Sequence, residues 1–492
     1  MDQRERDVGW WVRVVLDGWC DRPGPRYRRI AAALTDAVER RLITAGDRLP
    51  AERPLADALA VSRGTVVRGY EELAAAGLVG RLQGSGTYVR SPRPREEPGR
   101  VREDPAAALL RRRLAGAGEA IDLSLSVPAD TSHLPSVTGV DLLADARDHG
   151  LHPEGTLRLR TALAAHLTDR LRLPTTAGQL IVTSGTRQAL RLVAEAVAGP
   201  GRTVVTGCPT SADLLAALSG RGARPLTVAA DRWGLDAQAV LRAAARSPAP
   251  VVYAETAALP AARRETLLHT ARRTGALLVE DLARAGLVLG PDPVPAPPLA
   301  AADDGVVAVG SLSRMLWAGL RVGWIRAPAP LHERLLRLRS VHDRAPGVPA
   351  QTLATHLLRV VDEPWSEARR AVLRGRSELL LGLLARHLPA WRPEPPAAGL
   401  SLWVTVPVAD SETYAHLAAR YGVIVAPGAA HCVDGRHHAG VRLSFAEPPH
   451  RLEAAVDRLA AAWEHHTRDL AATPVPAPRP PRPARGSGPS GG

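Results

Sequence analysis

The chain has 492 residues, of which 45% are hydrophobic and 23% charged, with a formal net charge of +13. This is too long for one ordinary domain and rich enough in apolar residues for a real core, so two or three folded units are expected. No apolar run reaches the roughly 20 residues that span a bilayer. The start, Met1-Asp-Gln-Arg-Glu-Arg-Asp, lacks the basic-then-apolar order of a secretion signal. Together these predict a cytoplasmic protein with no membrane partner. Cys20, Cys208 and Cys432 form neither a pair pattern nor a metal spacing, which fits a reducing compartment and predicts no metal. The chain has no lysine and no asparagine, so all 63 basic residues are arginine. The positive charge suits a polyanionic partner; a bias in composition accounts for it equally well.

In chain order, residues 1–25 form a short amphipathic extension carrying Trp10, Trp11 and Trp19. Residues 26–90 read as a compact helical unit ending in a hairpin. From Tyr27 to Leu42, Ile30, Leu34 and Val38 recur every fourth residue, as on one helix face. Gly46-Asp47-Arg48-Leu49-Pro50 breaks that helix. A second short helix, Glu52 to Ala60, turns Leu55 and Leu59 inward. Val61-Ser62 is the turn, and Ser62 is a good N-cap for a third helix that buries Val66, Tyr70 and Leu73 and ends at Gly77. Two short helices joined by a tight turn place the start of the second in a DNA major groove. Arg63 and Thr65 stand in its first turn, with Gly64 and Arg68 away from the apolar stripe. An arginine there donates two bonds to guanine. Leu78–Leu82 and Thr87–Arg90 flank Gln83-Gly84-Ser85-Gly86 as a wing whose glycine tip lets backbone approach a phosphate.

Residues 91–118 are rich in Pro, Arg and Glu and read as a linker, with Arg111-Arg112-Arg113 a solvated face. Residues 119–472 alternate short apolar runs with helical patterns, among them Thr203-Val-Val-Thr, Pro250-Val-Val-Tyr and Leu277-Leu-Val-Glu. That alternation predicts an α/β unit with a mostly parallel sheet and a smaller α+β C-terminal part. Residues 473–492 are Pro/Arg/Gly/Ser-rich and are expected to be disordered. His437-His438 and His465-His466 lack metal spacing and read as surface residues. Cys208 reads as a packing residue.

The strings G-D-R-L-P-A-E-R-P-L-A, V-S-R-G-T-V, Y-E-E-L-A-A-A-G-L and G-S-G-T-Y-V between Gly46 and Val89 resemble the winged helix–turn–helix of the GntR family. The resemblance implies double-stranded operator DNA as partner, with Arg53, Ser62, Arg63, Thr65, Arg68, Gly84, Ser85 and Gly86 at the DNA. Residues 119–472 resemble a fold-type I aminotransferase. The fusion of the two is similar to the MocR/GabR regulators and implies a homodimer.

Within the large unit, Ser184-Gly185-Thr186 ends a strand and opens a helix, where free N–H groups favour an anion. Ser311, Ser313 and Arg321 match the family's other phosphate-binding positions. Asp281, in Glu280-Asp281, matches the residue that pairs with the pyridine nitrogen of pyridoxal phosphate, and Arg442 matches the arginine that holds a substrate carboxylate. The Schiff-base lysine, however, falls on Arg314, and a guanidinium does not form an aldimine. The family's phenol and ring-stacking positions fall on Ala283 and near Ser211. Catalytic residues are therefore expected to be absent. The pyridoxal-phosphate-dependent aminotransferase reading stands as the disfavoured alternative to a transcription regulator. Two readings of the remnant remain: a non-covalent site for a phosphorylated pyridine or another small anionic effector, or a decayed site serving only a dimerisation platform.

Overall fold

The computed structural model describes residues 8–16, 18–22, 24–39, 42–43, 47–75, 78–82, 86–89, 105–115, 120–143, 148–290, 296–408 and 410–472. The expected tail, 473–492, lies outside them, as do Gly84 and Ser85 of the wing tip. The chain forms two units, Met1–Glu103 and Asp104–Gly492.

In the first unit α1 (Val8–Trp10) runs into a wide turn, Trp11–Val15, followed by α2 (Arg26–Glu39), α3 (Glu52–Ala58) and α4 (Arg63–Ala75). A hairpin of β1 (Val79–Leu82) and β2 (Gly86–Val89) follows, in register from Val79↔Val89 to Leu82↔Gly86. The predicted inward set of Ile30, Leu34, Leu55, Leu59, Val66, Tyr70 and Leu73 is buried as one core. The extension belongs to this core too, since Trp11, Val15 and Leu16 are buried in it. The segment read as a helix breaker does more than break a helix. Leu49 N–H donates to the Thr87 carbonyl and Val89 N–H to the Asp47 carbonyl, so residues 47–49 run beside β2 and anchor the wing.

The second unit opens with α5 (Pro105–Ala115), inside the stretch read as linker. Leu109 packs on Ile424 and Ala426, and the Arg112 guanidinium is buried 2.7 Å from Glu412. The arginine run is therefore not a solvated face: Arg112 is inward, and Arg113 Nε donates to Ser124 Oγ at 3.0 Å. After β3 (Ile121–Asp122) and α6 (Leu157–Leu171) come β4 (Leu180–Thr183), α7 (Thr186–Val197), β5 (Thr203–Cys208), β6 (Arg224–Asp231), β7 (Gly234–Leu235), β8 (Val251–Glu255), β9 (Leu277–Asp281), β10 (Val307–Ser311) and β11 (Gly323–Arg326). They form an eight-stranded sheet in the order β4-β11-β10-β9-β8-β5-β6-β7. The run from β10 to β6 is parallel, while β11 and β7 are antiparallel to their neighbours. Strands such as Leu180–Thr183 and Thr203–Cys208 are buried at every position, as a sheet covered by helices on both faces requires.

A smaller sheet follows, built from β12 (Arg392–Glu394), β13 (Ser401–Thr405), β16 (Gly440–Ser444) and β15 (Ala426–Pro427), with β14 (Val423–Ile424) pairing β3. Its core includes Leu402, Tyr414, Phe445 and Leu459. One core covers each face of the large sheet and a third backs the small sheet, and a cleft lies where strand ends of the large sheet meet the small one.

Candidate functional sites

In the first unit the helix–turn–helix is built from its cap outward. Ser62 Oγ accepts from Thr65 N–H at 3.2 Å and lies 2.8 Å from Thr65 Oγ1. The hydroxyl thus serves an otherwise unpaired N–H of the first turn. Tyr70 is fully buried and its phenol donates to the Pro50 carbonyl at 2.9 Å, tying α4 to the segment before α3. This leaves Arg53, Arg63, Gly64 and Arg68 exposed, with Thr65 half-buried. Arg63 Nη2 lies 3.3 Å from Glu52 Oε2, an exposed guanidinium against a half-buried carboxylate. The Arg68 guanidinium stacks 4.6 Å over the Tyr27 ring, which orients it along the outer face of α4. Ser62 and Thr65 are partly committed to the cap, so the groups free to reach out are chiefly arginines.

In the second unit the predicted cup assembles at the ends of three adjacent strands. Gly323 pairs with Thr183 on one side and Ser311 on the other. A Cβ on Gly323 would lie 2.7 Å from the Gly185 backbone and 2.8 Å from the Gly310 carbonyl, so only glycine fits there. Gly185 itself sits at φ +97° as the cap of α7, a conformation that favours glycine. Ser184, Gly185, Thr186, Ser311, Ser313 and Arg321 are therefore neighbours, as the sequence implied.

Some donors of this cup are spent internally. Ser184 N–H donates to Gln188 Oε1 at 2.6 Å. Gln188 donates in turn to Asp343 at 2.6 Å, and Asp343 pairs with the buried Arg339. The Arg321 guanidinium donates to the Ser184 carbonyl and lies over Gly185. Ser311 Oγ accepts from Ser313 N–H at 3.0 Å. Ser313 Oγ is buried with no hydrogen-bond partner among the described residues.

Asp281 is placed on the next strand, its register partner being Val309. Each carboxylate oxygen accepts a hydrogen bond. Oδ2 accepts from the Tyr253 phenol at 2.6 Å and Oδ1 from Ala283 N–H at 2.8 Å. Burial, with the Glu255 charge, pushes the Asp281 carboxyl above its ordinary range, against the Tyr253 bond. Burial and Asp281 push the Tyr253 phenol upward in turn. Its neighbour Glu280 has a different role. It is fully buried and accepts from Thr256 Oγ1 and from the N–H groups of Leu299 and Ala300, capping a short helix.

Arg314 Nη1 donates to Ser126 Oγ at 3.0 Å and faces a cavity of about 190 Å³ in the cleft. Tyr253, Ser211, Glu255, Arg284, His431 and Arg442 also line this cavity. Arg284 is neutralised by Glu255. Arg442 donates to the Ser124 carbonyl at 2.8 Å, and its Nε is buried with no hydrogen-bond partner among the described residues. Burial and the nearby Arg314 charge lower the Arg442 guanidinium to about 10. His431 is held neutral, its pKa pressed down to about 3 by burial and Arg442. The cavity thus presents Arg314 and Arg442, neither in an ion pair among the described residues, on a lining shared with Arg232, Asp231, Glu255 and Glu394, whereas the cup residues do not line it.

These positions do not fit pyridoxal phosphate as the aminotransferase resemblance would have it. There is no amine, an internal phenol holds Asp281, and Gln188 holds a cup N–H. Tyr253 and Gln188 were not singled out from sequence; each sits in a pattern, a buried strand and a helix first turn, that gives no hint of a polar task.

A model of aminotransferases of class I and II matches residues 139–459, and one of the bacterial regulatory proteins of the gntR family matches residues 26–89. The chain belongs to the aminotransferase class I and II family and carries a gntR-type helix–turn–helix domain ahead of it. It is 30% identical to the HTH-type pyridoxine biosynthesis transcriptional regulator PdxR of Corynebacterium glutamicum over 74% of this chain and 79% of that protein. It is 27% identical to the probable rhizopine catabolism regulatory protein MocR of Rhizobium meliloti, over 77% and 80%. Among solved structures it resembles LysN, the alpha-aminoadipate aminotransferase of Thermus thermophilus, at a TM-score of 0.65 and 24% identity, covering 75% of this chain and 97% of that one. That likeness establishes the fold-type I architecture of the large unit.

Proposed function

We propose that this protein is a sequence-specific DNA-binding transcription regulator whose aminotransferase-like unit holds a small anion without a covalent bond. The observation that carries the first part is the capped α4 with Arg63 and Arg68 exposed on it. Exposed guanidiniums at the start of such a helix are suited to base edges in a major groove. The relatives named as regulators support the same reading. Dimerisation through the large unit would supply two half-sites.

The second part rests on Arg314 and Arg442 at the cavity. Two arginines with fork geometry suit a carboxylate. A carboxylate is a better match than a phosphorylated pyridine, because the cup residues that would hold a phosphate do not line this cavity. Amine chemistry is set aside because the chain has no lysine.

The test is fluorescence anisotropy of the full chain on duplex DNA recovered by selection from a random pool. Wild type binds with an affinity that falls linearly with the logarithm of salt concentration. Arg63→Ala lowers specific affinity by about 1–3 kcal/mol, roughly 5- to 150-fold. Absence of salt-dependent binding by wild type refutes the proposal.

A further inference from the structure

The second unit holds a cysteine pair that the sequence separates by 224 positions. Cys208 ends β5, in the large sheet, and Cys432 lies in the loop between β15 and β16, in the small one. Their sulfurs are 2.9 Å apart, and both residues are buried. The two segments already clasp one another: Thr210 N–H donates to the His431 carbonyl at 2.9 Å, and His431 Nδ1 lies 3.0 Å from the Thr210 carbonyl. Both border the cleft. Gly207 and Pro209 on one side of the pair, and His431 on the other, line the cavity described above.

We infer that Cys208 and Cys432 are a peroxide-oxidisable dithiol, whose disulfide would staple the two walls of the cavity together. The roles of the two sulfurs differ. A hydrogen bond from Cys208 brings the Cys432 thiol down to about 7, aided by His437 N–H at 3.4 Å. The same pairing, with burial, pushes Cys208 upward, so it stays the protonated donor. Asp434 Oδ1, 3.1 Å from the Cys432 sulfur, opposes the thiolate, but this carboxylate is itself paired with Arg436 at 2.6 Å. The nucleophile is therefore Cys432.

Its thiolate attacks one oxygen of hydrogen peroxide: an S–O bond forms, the O–O bond breaks, and the departing hydroxide becomes water. Cys208 then attacks the Cys432 sulfur. The S–S bond forms, the S–O bond breaks, and hydroxide leaves with the Cys208 proton as a second water. Two thiols are oxidised and one peroxide is reduced.

Cys208, Cys432 and Asp434 lie close enough to ligate one ion together. Disulfide chemistry is favoured because two thiolates on a zinc ion with bonds of about 2.3 Å stand nearly 4 Å apart. The sulfurs here are already closer than that.

The experiment treats the full chain with hydrogen peroxide under native conditions, then alkylates, digests and maps it by mass spectrometry. The expected result is loss of two of the three thiols, a peptide linking Cys208 to Cys432, an alkylatable Cys20, and full reversal by dithiothreitol. Cys208→Ser leaves Cys432 as a sulfenic acid that dimedone captures, and Cys432→Ser leaves Cys208 reduced. In the oxidised wild type, amide exchange slows at residues 210–215 and 428–433. Survival of all three thiols, a link through Cys20, direct over-oxidation of Cys432 in wild type, one equivalent of zinc bound to the purified protein, or unchanged exchange beside an intact bridge would each overturn the inference.

Discussion

Tyr253→Phe removes a single oxygen from the interior of the large unit and leaves the ring that fills the space. The phenol is the donor to Asp281 Oδ2, 2.6 Å away, and Asp281 is only 5% exposed. A hydrogen bond to a charged group contributes about 1.5–3 kcal/mol. Unfolding of the full chain in urea should show a deficit of that size at pH 7. The deficit should also depend on pH in a defined direction. Burial raises the Asp281 carboxyl in the folded state, so its contribution is most favourable when protonated and is lost as pH rises through the folded-state value. Removing the phenol raises that value further, so the variant loses more at high pH. Below about 4, where an unfolded aspartate is itself protonated, the difference between variant and wild type narrows to that of a neutral hydrogen bond. A variant as stable as wild type across this range would refute the bond, and with it the claim that an internal phenol holds Asp281.

Two further substitutions test how the sites are held. Ser62→Ala removes the cap of α4 and should destabilise the first unit by about 0.5–2 kcal/mol, seen as a lower melting temperature by circular dichroism. Gly323→Ala places a Cβ against the backbone of Gly185 and Gly310 rather than against a side chain that can swing away. Its cost should be about 1–3 kcal/mol in urea unfolding of the full chain, and an unchanged midpoint would show that these strands are less closely packed.

Much of this was legible before the structure. Regular periodicity identified Ile30, Leu34, Val66 and Tyr70 as inward, because a helix face repeats in sequence. The all-apolar strands identified the parallel sheet for the same reason. Arg314, Asp281 and Ser184 could be placed because they stand in local strings. Long-range partners could not. Nothing near Asp281 announces Tyr253, 28 positions upstream, or near Ser184 announces the Asp343–Arg339 pair. Residues 105–115 were misread as linker because the signal that makes them a helix is tertiary: Leu109 and Arg112 gain their partners from residues about 300 positions away. The spacing of Cys208 and Cys432 hid their proximity in the same way.

The claim that separates this chain from the enzymes whose fold it shares is that its large unit holds no amine. Incubation of the full chain with pyridoxal phosphate and then borohydride, followed by peptide mapping, tests it directly. The account predicts no pyridoxyl adduct anywhere in residues 104–492, which contain no lysine. A stoichiometric adduct within the large unit would contradict it.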